Sequence, residues 1–199
     1  MTIILSDTDF MTVDELEKET GWPLDWTSVK GLYPYIKRLQ GDVTGIEIGT
    51  CRAESTYLIL DQCPNVSKLY TIDPYLGYDD WAGELSQETM SKFEDIAHKN
   101  MAKFGDRVEF IKSRSDDPKA IDLFKNEQVD FIFVDGDHSE EATYQDISNY
   151  YPKLRSGGLF SGHDYNLDAV RAAVERFRTE NKIRINIQLS TNNVWFWYK

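Results

Sequence analysis

The sequence predicts an α/β protein built on a doubly wound, mostly parallel β-sheet. From residue 43 onwards, short apolar runs alternate with segments of helical periodicity, as in successive strand–helix–strand crossovers. The clearest run, residues 129–134 (VDFIFV), is apolar at five of its six positions, as expected of a strand covered on both faces. Two strand-like runs around Thr191-Asn192-Asn193 end the chain and predict an antiparallel hairpin.

Five apolar runs predict the parallel strands, and the terminal hairpin raises the number of strands to seven. The parallel strands are expected at Val43–Ile48, Lys68–Asp73, Val108–Ile111, Val129–Val134 and Leu159–Ser161, with the hairpin strands at 183–190 and 194–199.

Helices are predicted between these strands from 3.6-residue periodicity and from capping residues. Pro118 directly after Asp117, for example, is typical of a first helical turn. The expected helices are Ser55–Gln62, residues 86–104, one beginning at Asp117-Pro118, Ser139–Tyr151 and one through Val170, Val174 and Phe177.

The chain of 199 residues is predicted to form a single domain, because no repeat or flexible linker interrupts it. Thr12 and Glu15 form a capping-box pattern, so residues 1–40 are expected to be a helical cap on a core at 41–199. The N-terminus lacks the basic and apolar regions of a secretory signal, and the two cysteines suggest no disulfide framework. A cytoplasmic location is therefore expected.

Composition argues against nucleic acids and membranes as partners. The net charge is −12, with 34 acidic and 22 basic residues, and no cluster of Lys and Arg suits a phosphate backbone. No apolar run approaches the length of roughly 20 residues that a membrane span needs. A small-molecule ligand is the better expectation.

Ligands of parallel sheets bind beyond the carboxyl ends of the strands, and polar clusters follow the predicted strands. Gly49 follows the first strand, where it permits a tight turn beside a ligand. Asp73 closes the second strand, where it could accept hydrogen bonds from ribose hydroxyls. Ser115 and Asp116 follow the third and could bond the edge of a base. Simple turn and capping roles remain alternatives for each cluster.

The fourth and fifth strands end in residues suited to a divalent cation. Asp135 follows the fourth strand, and His163-Asp164 follow the fifth. Carboxylates and an imidazole, completed by water and substrate, form a reasonable octahedral set. His138 titrates near neutrality and suits a general base, with Asp137 as the second candidate. The alternative is that these side chains only cap the following helices.

Taken in order, five segments resemble class I methyltransferases that use S-adenosyl-L-methionine. The resemblance is closest to the metal-dependent catechol-type and macrocin-type O-methyltransferases, and it implies a Rossmann-like methyltransferase fold. The segments are EIGTCRAES (47–55), TIDPY (71–75), RVEFIKSRSDD (107–117), VDFIFVDGDHSEEATYQDI (129–147) and LRSGGLFSGHDY (154–165).

The resemblance also implies roles for individual residues. His138 lies where catechol-type enzymes have a catalytic lysine, and Asp137 remains the second candidate base. The metal ligands would be Asp135, His163 and Asp164. The cofactor would contact the first loop at Glu47, Gly49, Thr50, Cys51 and Ser55, the ribose site at Asp73, the adenine site at Ser115 and Asp116, and Asp135.

Three residues depart from the family pattern. Cys51 and Ala53 lie where many members have glycine. His163 replaces a usual acid, so Mn²⁺ joins Mg²⁺ as a candidate cofactor.

The expected function is transfer of a methyl group from S-adenosyl-L-methionine to a hydroxyl of a small molecule. A homodimer is compatible with this expectation. A metal-dependent hydroxylase on the same fold and a nucleoside-binding module without catalysis are the alternatives. A nicotinamide dehydrogenase is disfavoured, because the first loop lacks G-x-G-x-x-G.

Overall fold

A computed structural model describes residues 28–80 and 83–199. Within this part, a 3₁₀ turn at Ser28–Leu32 and the short helix α1 (Tyr33–Ile36) precede the first strand. The expected capping box at Thr12 and Glu15 lies outside the described residues. No helix of the described segments has both the length and the apolar character to span a bilayer.

The main sheet has seven strands, which confirms the predicted fold class. Its spatial order is β5-β2-β1-β6-β7-β9-β8. Strands β5, β2, β1, β6 and β7 are parallel, whereas β9 is antiparallel to both β7 and β8. The strands of this sheet are β1 (Val43–Ile48), β2 (Val66–Ile72), β5 (Val108–Ile111), β6 (Val129–Val134), β7 (Leu154–Gly162), β8 (Gln188–Leu189) and β9 (Trp195–Tyr198).

The connecting helices lie close to their predicted bounds. They are α2 (Glu54–Gln62), α3 (Gln87–Met101), α4 (Pro118–Ile121), α5 (Glu140–Tyr150) and α6 (Asp168–Glu180). As expected, the Asp117 side chain caps α4, accepting a hydrogen bond from the Lys119 N–H at 2.9 Å. Helix α3 ends earlier than predicted, because the chain passes into a 3₁₀ turn at Ala102–Arg107.

Several strands differ from the sequence prediction. Strand β2 spans Val66–Ile72 rather than Lys68–Asp73, and β8 covers only Gln188–Leu189 of the expected 183–190. Strand β7 begins at Leu154 rather than Leu159, since the expected turn is an irregularity within the strand where its register against β6 shifts. A second, two-stranded sheet that was not predicted is formed by β3 (Tyr78–Asp80) and β4 (Gly83–Leu85).

The sheet is buried between two layers of helices. Along β6, Phe131 and Phe133 pack into the layer formed by α2, α3 and the N-terminal turn, whereas Ile132 and Val134 face the layer of α5 and α6. All four side chains are buried, as predicted for a strand covered on both sides. Strands β1 and β6 lie side by side at the centre, where the strand order reverses, and this is the expected ligand position.

Candidate active site

The loops that follow β1 and β6 contact each other through Gly49. Its φ is +89°, and its N–H donates to the Ile72 carbonyl at 2.9 Å. A Cβ at this position would lie 2.0 Å from the Asp135 carbonyl oxygen. Only glycine therefore fits here, on both steric and conformational grounds. The predicted cofactor loop is thus held directly against the start of the predicted metal cluster.

Asp73 fixes the same loop from the end of β2. Its Oδ2 accepts hydrogen bonds from the N–H groups of Thr50 at 3.0 Å and Cys51 at 2.9 Å, and its Oδ1 accepts from the Tyr75 N–H at 2.8 Å. An ionised carboxylate has about four acceptor positions. One remains for a ribose hydroxyl, so Asp73 both shapes the loop and keeps the capacity predicted for it.

Two residues of the predicted cofactor loop have a left-handed backbone conformation, at the positions where the family resemblance implies glycine in many members. Cys51 has a φ of 48° and Ala53 a φ of 64°. The left-handed region costs an ordinary side chain roughly 1–2 kcal/mol. Although neither residue is glycine, both have the positive φ that glycine adopts most readily. Ser55 follows, half-buried in the first turn of α2.

Glu47 is a fully buried acid in β1, beneath this loop. Burial raises the pKa of Glu47 to about 8; the Thr56 hydrogen bond opposes this shift, and the charge of Asp135 adds to it. The Thr56 hydroxyl donates to Oε2, whereas Oε1 has no partner of normal hydrogen-bond geometry among the described residues. A buried acceptor without a partner is rare, and it suits a cationic group of a ligand.

Asp135, His138 and Asp164 bring their ligand atoms within 4.8 Å of one another at the ends of β6 and β7. The His138 Nε2 lies 2.8 Å from Asp164 Oδ2. The His163 Nδ1 lies 3.0 Å from the same oxygen and 3.4 Å from Asp135 Oδ1. The structure thus groups Asp135 and Asp164 with His138, the predicted base, and brings the His163 Nδ1 close to both carboxylates. The ligand role of His163 stays a prediction.

His163 and the two carboxylates of this cluster shift one another's pKa. Burial by itself lowers the pKa of His163, but hydrogen bonds and charges from Asp135 and Asp164 outweigh it and raise the value to about 10. Burial acts in the opposite direction on Asp164, yet its bonds to His138 and His163 hold its pKa below the usual range. The His163 imidazolium therefore offsets one of the two carboxylate charges. A divalent cation that accepts nitrogen ligands would have to displace this proton before His163 could bind it.

Asp137, the second candidate base, is engaged by the backbone at the start of α5. It is exposed, and its Oδ1 accepts a hydrogen bond from the Ser139 N–H at 2.8 Å, just before α5. This contact gives Asp137 a role at the start of the helix.

The two predicted adenine residues have different surroundings. Asp116 forms a two-pronged ion pair with Arg114, with both N–O distances at 2.8 Å. The Ser115 carbonyl accepts a hydrogen bond from the Tyr150 hydroxyl at 3.0 Å, and the same buried face of α5 carries Asp146, a residue that sequence reasoning missed. Its position four residues before Tyr150, on the apolar face of α5, is the signal that could have identified it.

Sequence comparison matches residues 46–165 to a family described as "Methyltransferase domain". The uncharacterized protein R132 of Acanthamoeba polyphaga mimivirus is 31% identical over 153 residues, covering 74% of this chain and 62% of that protein. The chain therefore spans less than two thirds of this relative's length.

Solved structures share the fold at low identity. The O-methyltransferase from Bacillus cereus in complex with SAH has a TM-score of 0.62 and 18% identity, covering 100% of this chain and 94% of that chain. The O-methyltransferase NovP has a TM-score of 0.60 and 18% identity, covering 87% and 77%. The family match includes the predicted cofactor loop and the residues of the His–Asp cluster, and the predicted resemblance is confirmed. The chain belongs to the methyltransferase-domain family of enzymes.

Proposed function

We propose that the protein is an S-adenosylmethionine-dependent O-methyltransferase that acts on a small hydroxylated molecule with the help of a divalent cation. The observation that carries this proposal is the position of Asp135. Its backbone packs against Gly49 of the cofactor loop, and its carboxylate belongs to the His–Asp cluster. A methyl donor and an activated hydroxyl would therefore meet at one residue.

Two features of the predicted cofactor pocket and one solved structure with the same fold support S-adenosylmethionine. The partnerless Oε1 of Glu47 suits the ammonium group of the methionine end. Asp73 retains an acceptor position for ribose. The O-methyltransferase from Bacillus cereus, which shares the fold, was solved in complex with SAH.

The His–Asp cluster supports activation of a hydroxyl. Asp135, Asp164 and His163 would hold the cation, which lowers the pKa of a bound hydroxyl. His138 would accept the hydroxyl proton at its other ring nitrogen, while Nε2–H donates to Asp164, 2.8 Å away, and this carboxylate would stabilise the resulting imidazolium. A vicinal diol, on a sugar or a phenol, suits two-point attachment at such a cluster.

Calorimetry with S-adenosylhomocysteine, with and without Mn²⁺ or Mg²⁺, tests the cofactor assignment. We expect micromolar binding, which corresponds to roughly 8 kcal/mol. Absence of binding under all three conditions would contradict the proposal.

Alanine variants test the metal assignment. Asp135→Ala and Asp164→Ala should abolish metal-dependent methyl transfer to a diol panel while retaining S-adenosylhomocysteine affinity in metal-free buffer. Asp95→Ala, on the exposed surface of α3, is the matched control and should behave as wild type. Wild-type rates for both site variants in the presence of chelator would show that no metal acts there.

A further inference from the structure

Asp164, a member of the His–Asp cluster, has a backbone conformation that is unfavourable for residues with a side chain. Its φ is +57°, in the left-handed region. Such a conformation persists only where the surrounding structure imposes it. The contacts around Asp164 therefore indicate what holds its carboxylate beside Asp135 and His138.

Backbone hydrogen bonds fix the chain on both sides of Asp164. The His163 N–H donates to the Val134 carbonyl at 3.0 Å, directly after β7. The Tyr165 N–H donates to the Asn193 carbonyl at 3.1 Å. The peptide group between these two bonds joins the His163 carbonyl to the Asp164 N–H. Because this group is planar, its orientation sets the φ angle of Asp164.

A tryptophan side chain holds that peptide group. The indole N–H of Trp195, in β9, donates to the His163 carbonyl at 2.9 Å, and the side chain is fully buried. The ring reaches this position because Gly162 has no side chain, since a Cβ there would lie 2.3 Å from Trp195 Cζ2. This close approach accounts for the glycine that precedes His163 and Asp164.

The second tryptophan of β9 lacks such a contact. Trp197 is also fully buried and stacks on Trp195, with ring centroids 5.4 Å apart. Its Nε1 has no hydrogen-bond partner among the described residues. Burial in this strand therefore does not by itself require a bonded indole, and the two side chains differ in what their N–H groups contact.

We propose that Trp195 is a positioning residue of the cation site, because its indole N–H holds the turn that presents the Asp164 carboxylate to the cluster. Asp164 Oδ2 lies 2.8 Å from His138 Nε2 and 3.0 Å from His163 Nδ1. A rotation of the preceding peptide group would move this oxygen relative to the other ligand atoms. Groups that bond behind metal ligands orient them in this way. The inference rests on the cation site of the proposed function.

Titration with Mn²⁺ by calorimetry, without cofactor, tests the role of Trp195. Trp195→Phe keeps a buried aromatic ring and removes the N–H. It should weaken Mn²⁺ binding at least about tenfold, the usual effect of losing a partner behind a metal ligand. Trp197→Phe is the matched control, because it removes an N–H that bonds nothing in the described part of the chain. This variant should retain wild-type affinity.

Urea denaturation separates positioning from a loss of stability. The free energy of unfolding should fall in both variants, because each loses ring volume from a buried position. A structural role alone would lower this free energy in Trp195→Phe and leave Mn²⁺ affinity unchanged. Positioning instead predicts that only Trp195→Phe loses affinity.

If Trp195→Phe does not fold, a measurement on the wild type decides. Zn²⁺ is diamagnetic and binds nitrogen and oxygen ligands more tightly than Mn²⁺. Saturation with Zn²⁺ should shift the nuclear magnetic resonance signal of the Trp195 indole N–H, because a cation on Asp164 polarises the peptide group that the indole bonds. An unmoved signal would overturn the inference.

The outcomes distinguish failure of the inference from failure of the proposed function. A wild type that binds no Mn²⁺ contradicts the cation site itself, and with it this inference. A wild type that binds Mn²⁺, together with unchanged affinity in Trp195→Phe, overturns only the role of Trp195. Equal weakening in Trp197→Phe would show that ring packing rather than the hydrogen bond positions Asp164, and it would also overturn the inference.

Discussion

At the scale of single residues, the candidate site depends on acids whose surroundings are unlike water. Glu47 is fully buried in β1, and Asp146 is almost as deeply buried in α5. Burial raises the pKa of both, to about 8 and about 7 respectively. Both groups therefore hold protons in the folded protein that they release near pH 4 in the unfolded chain.

This difference predicts how stability depends on pH. Because the folded state binds these protons more tightly, the free energy of unfolding of the cofactor-free protein should fall as pH rises from about 5 to about 8. For Glu47 the contribution is fully present below its unfolded pKa and is lost through the folded value of about 8. The loss is on the order of a few kcal/mol. Urea denaturation at pH 5, 6.5 and 8 measures it.

The variant Glu47→Gln should flatten this dependence, because the amide does not titrate. Glu109→Gln, an exchange at an exposed position of β5, is the control and should retain the wild-type slope. A wild-type slope in Glu47→Gln would show that Glu47 is ionised in the folded protein.

Single-residue variants also separate the roles of the two histidines beside Asp164. If His163 is a ligand and His138 the base, His163→Gln should weaken Mn²⁺ binding by at least about tenfold. His138→Gln should lower kcat by about 10²–10⁴ while Mn²⁺ affinity is retained. It should also remove the limb of the pH–rate profile that reports ionisation of the general base. Calorimetry and steady-state kinetics provide both readouts. Loss of Mn²⁺ affinity in His138→Gln would instead assign His138 as a ligand.

At the scale of elements, the two central strands pack an aromatic ring over a glycine. Gly45 of β1 pairs with Phe131 of β6, and a Cβ on Gly45 would lie 2.2 Å from the aromatic ring. The ring therefore occupies the space that a side chain at residue 45 would need.

Gly45→Ala should destabilise the protein by about 1–3 kcal/mol, the usual cost of overpacking a core. Thermal unfolding followed by circular dichroism measures the change. Adding Phe131→Leu should recover part of the loss. Gly136→Ala is the control, because a Cβ there would lie 3.4 Å from Ile48, an ordinary contact. An unchanged melting temperature in Gly45→Ala would contradict this account of the packing.

The elements also show which parts of the fold could be predicted. Strands β1, β5 and β6 have the predicted bounds. For β6 the reason is that a strand buried on both faces produces a nearly continuous apolar run. The start of β7 was missed because Ser156-Gly157-Gly158 has the composition of a turn, although pairing with β6 resumes after a shift in register. The β3–β4 pair was missed because its sequence is short and polar.

Similar reasoning applies to the site. The rule that parallel strands end at one edge predicted that Asp135 and Asp164 would lie together. The three N–H groups that occupy Asp73 and the bond from the Tyr150 hydroxyl to the Ser115 carbonyl could not be predicted. Both depend on distances between elements far apart in sequence, which a strand pattern does not contain.

At the scale of the whole molecule, the family match and the sheet topology agree. The match at 46–165 runs from within β1 to just beyond β7, so it includes the second half of β1 and the other four parallel strands and excludes the terminal hairpin. That hairpin was predicted from the sequence and is confirmed by the pairing of β8 with β9. The division into a cap at 1–40 and a core at 41–199 stays a prediction.

The contact between Gly49 and Asp135 has a consequence for the protein as a whole, because it makes two binding events interdependent. A cation that orders Asp135 should also order the loop that receives S-adenosylhomocysteine. Thermodynamic linkage then requires the reverse effect to have the same size, typically about 5–150-fold in affinity. Titrating each ligand in the presence and absence of the other should give equal coupling factors. A factor of one in both directions would mean that the cation site and the cofactor loop act independently, although Gly49 and Asp135 are in contact.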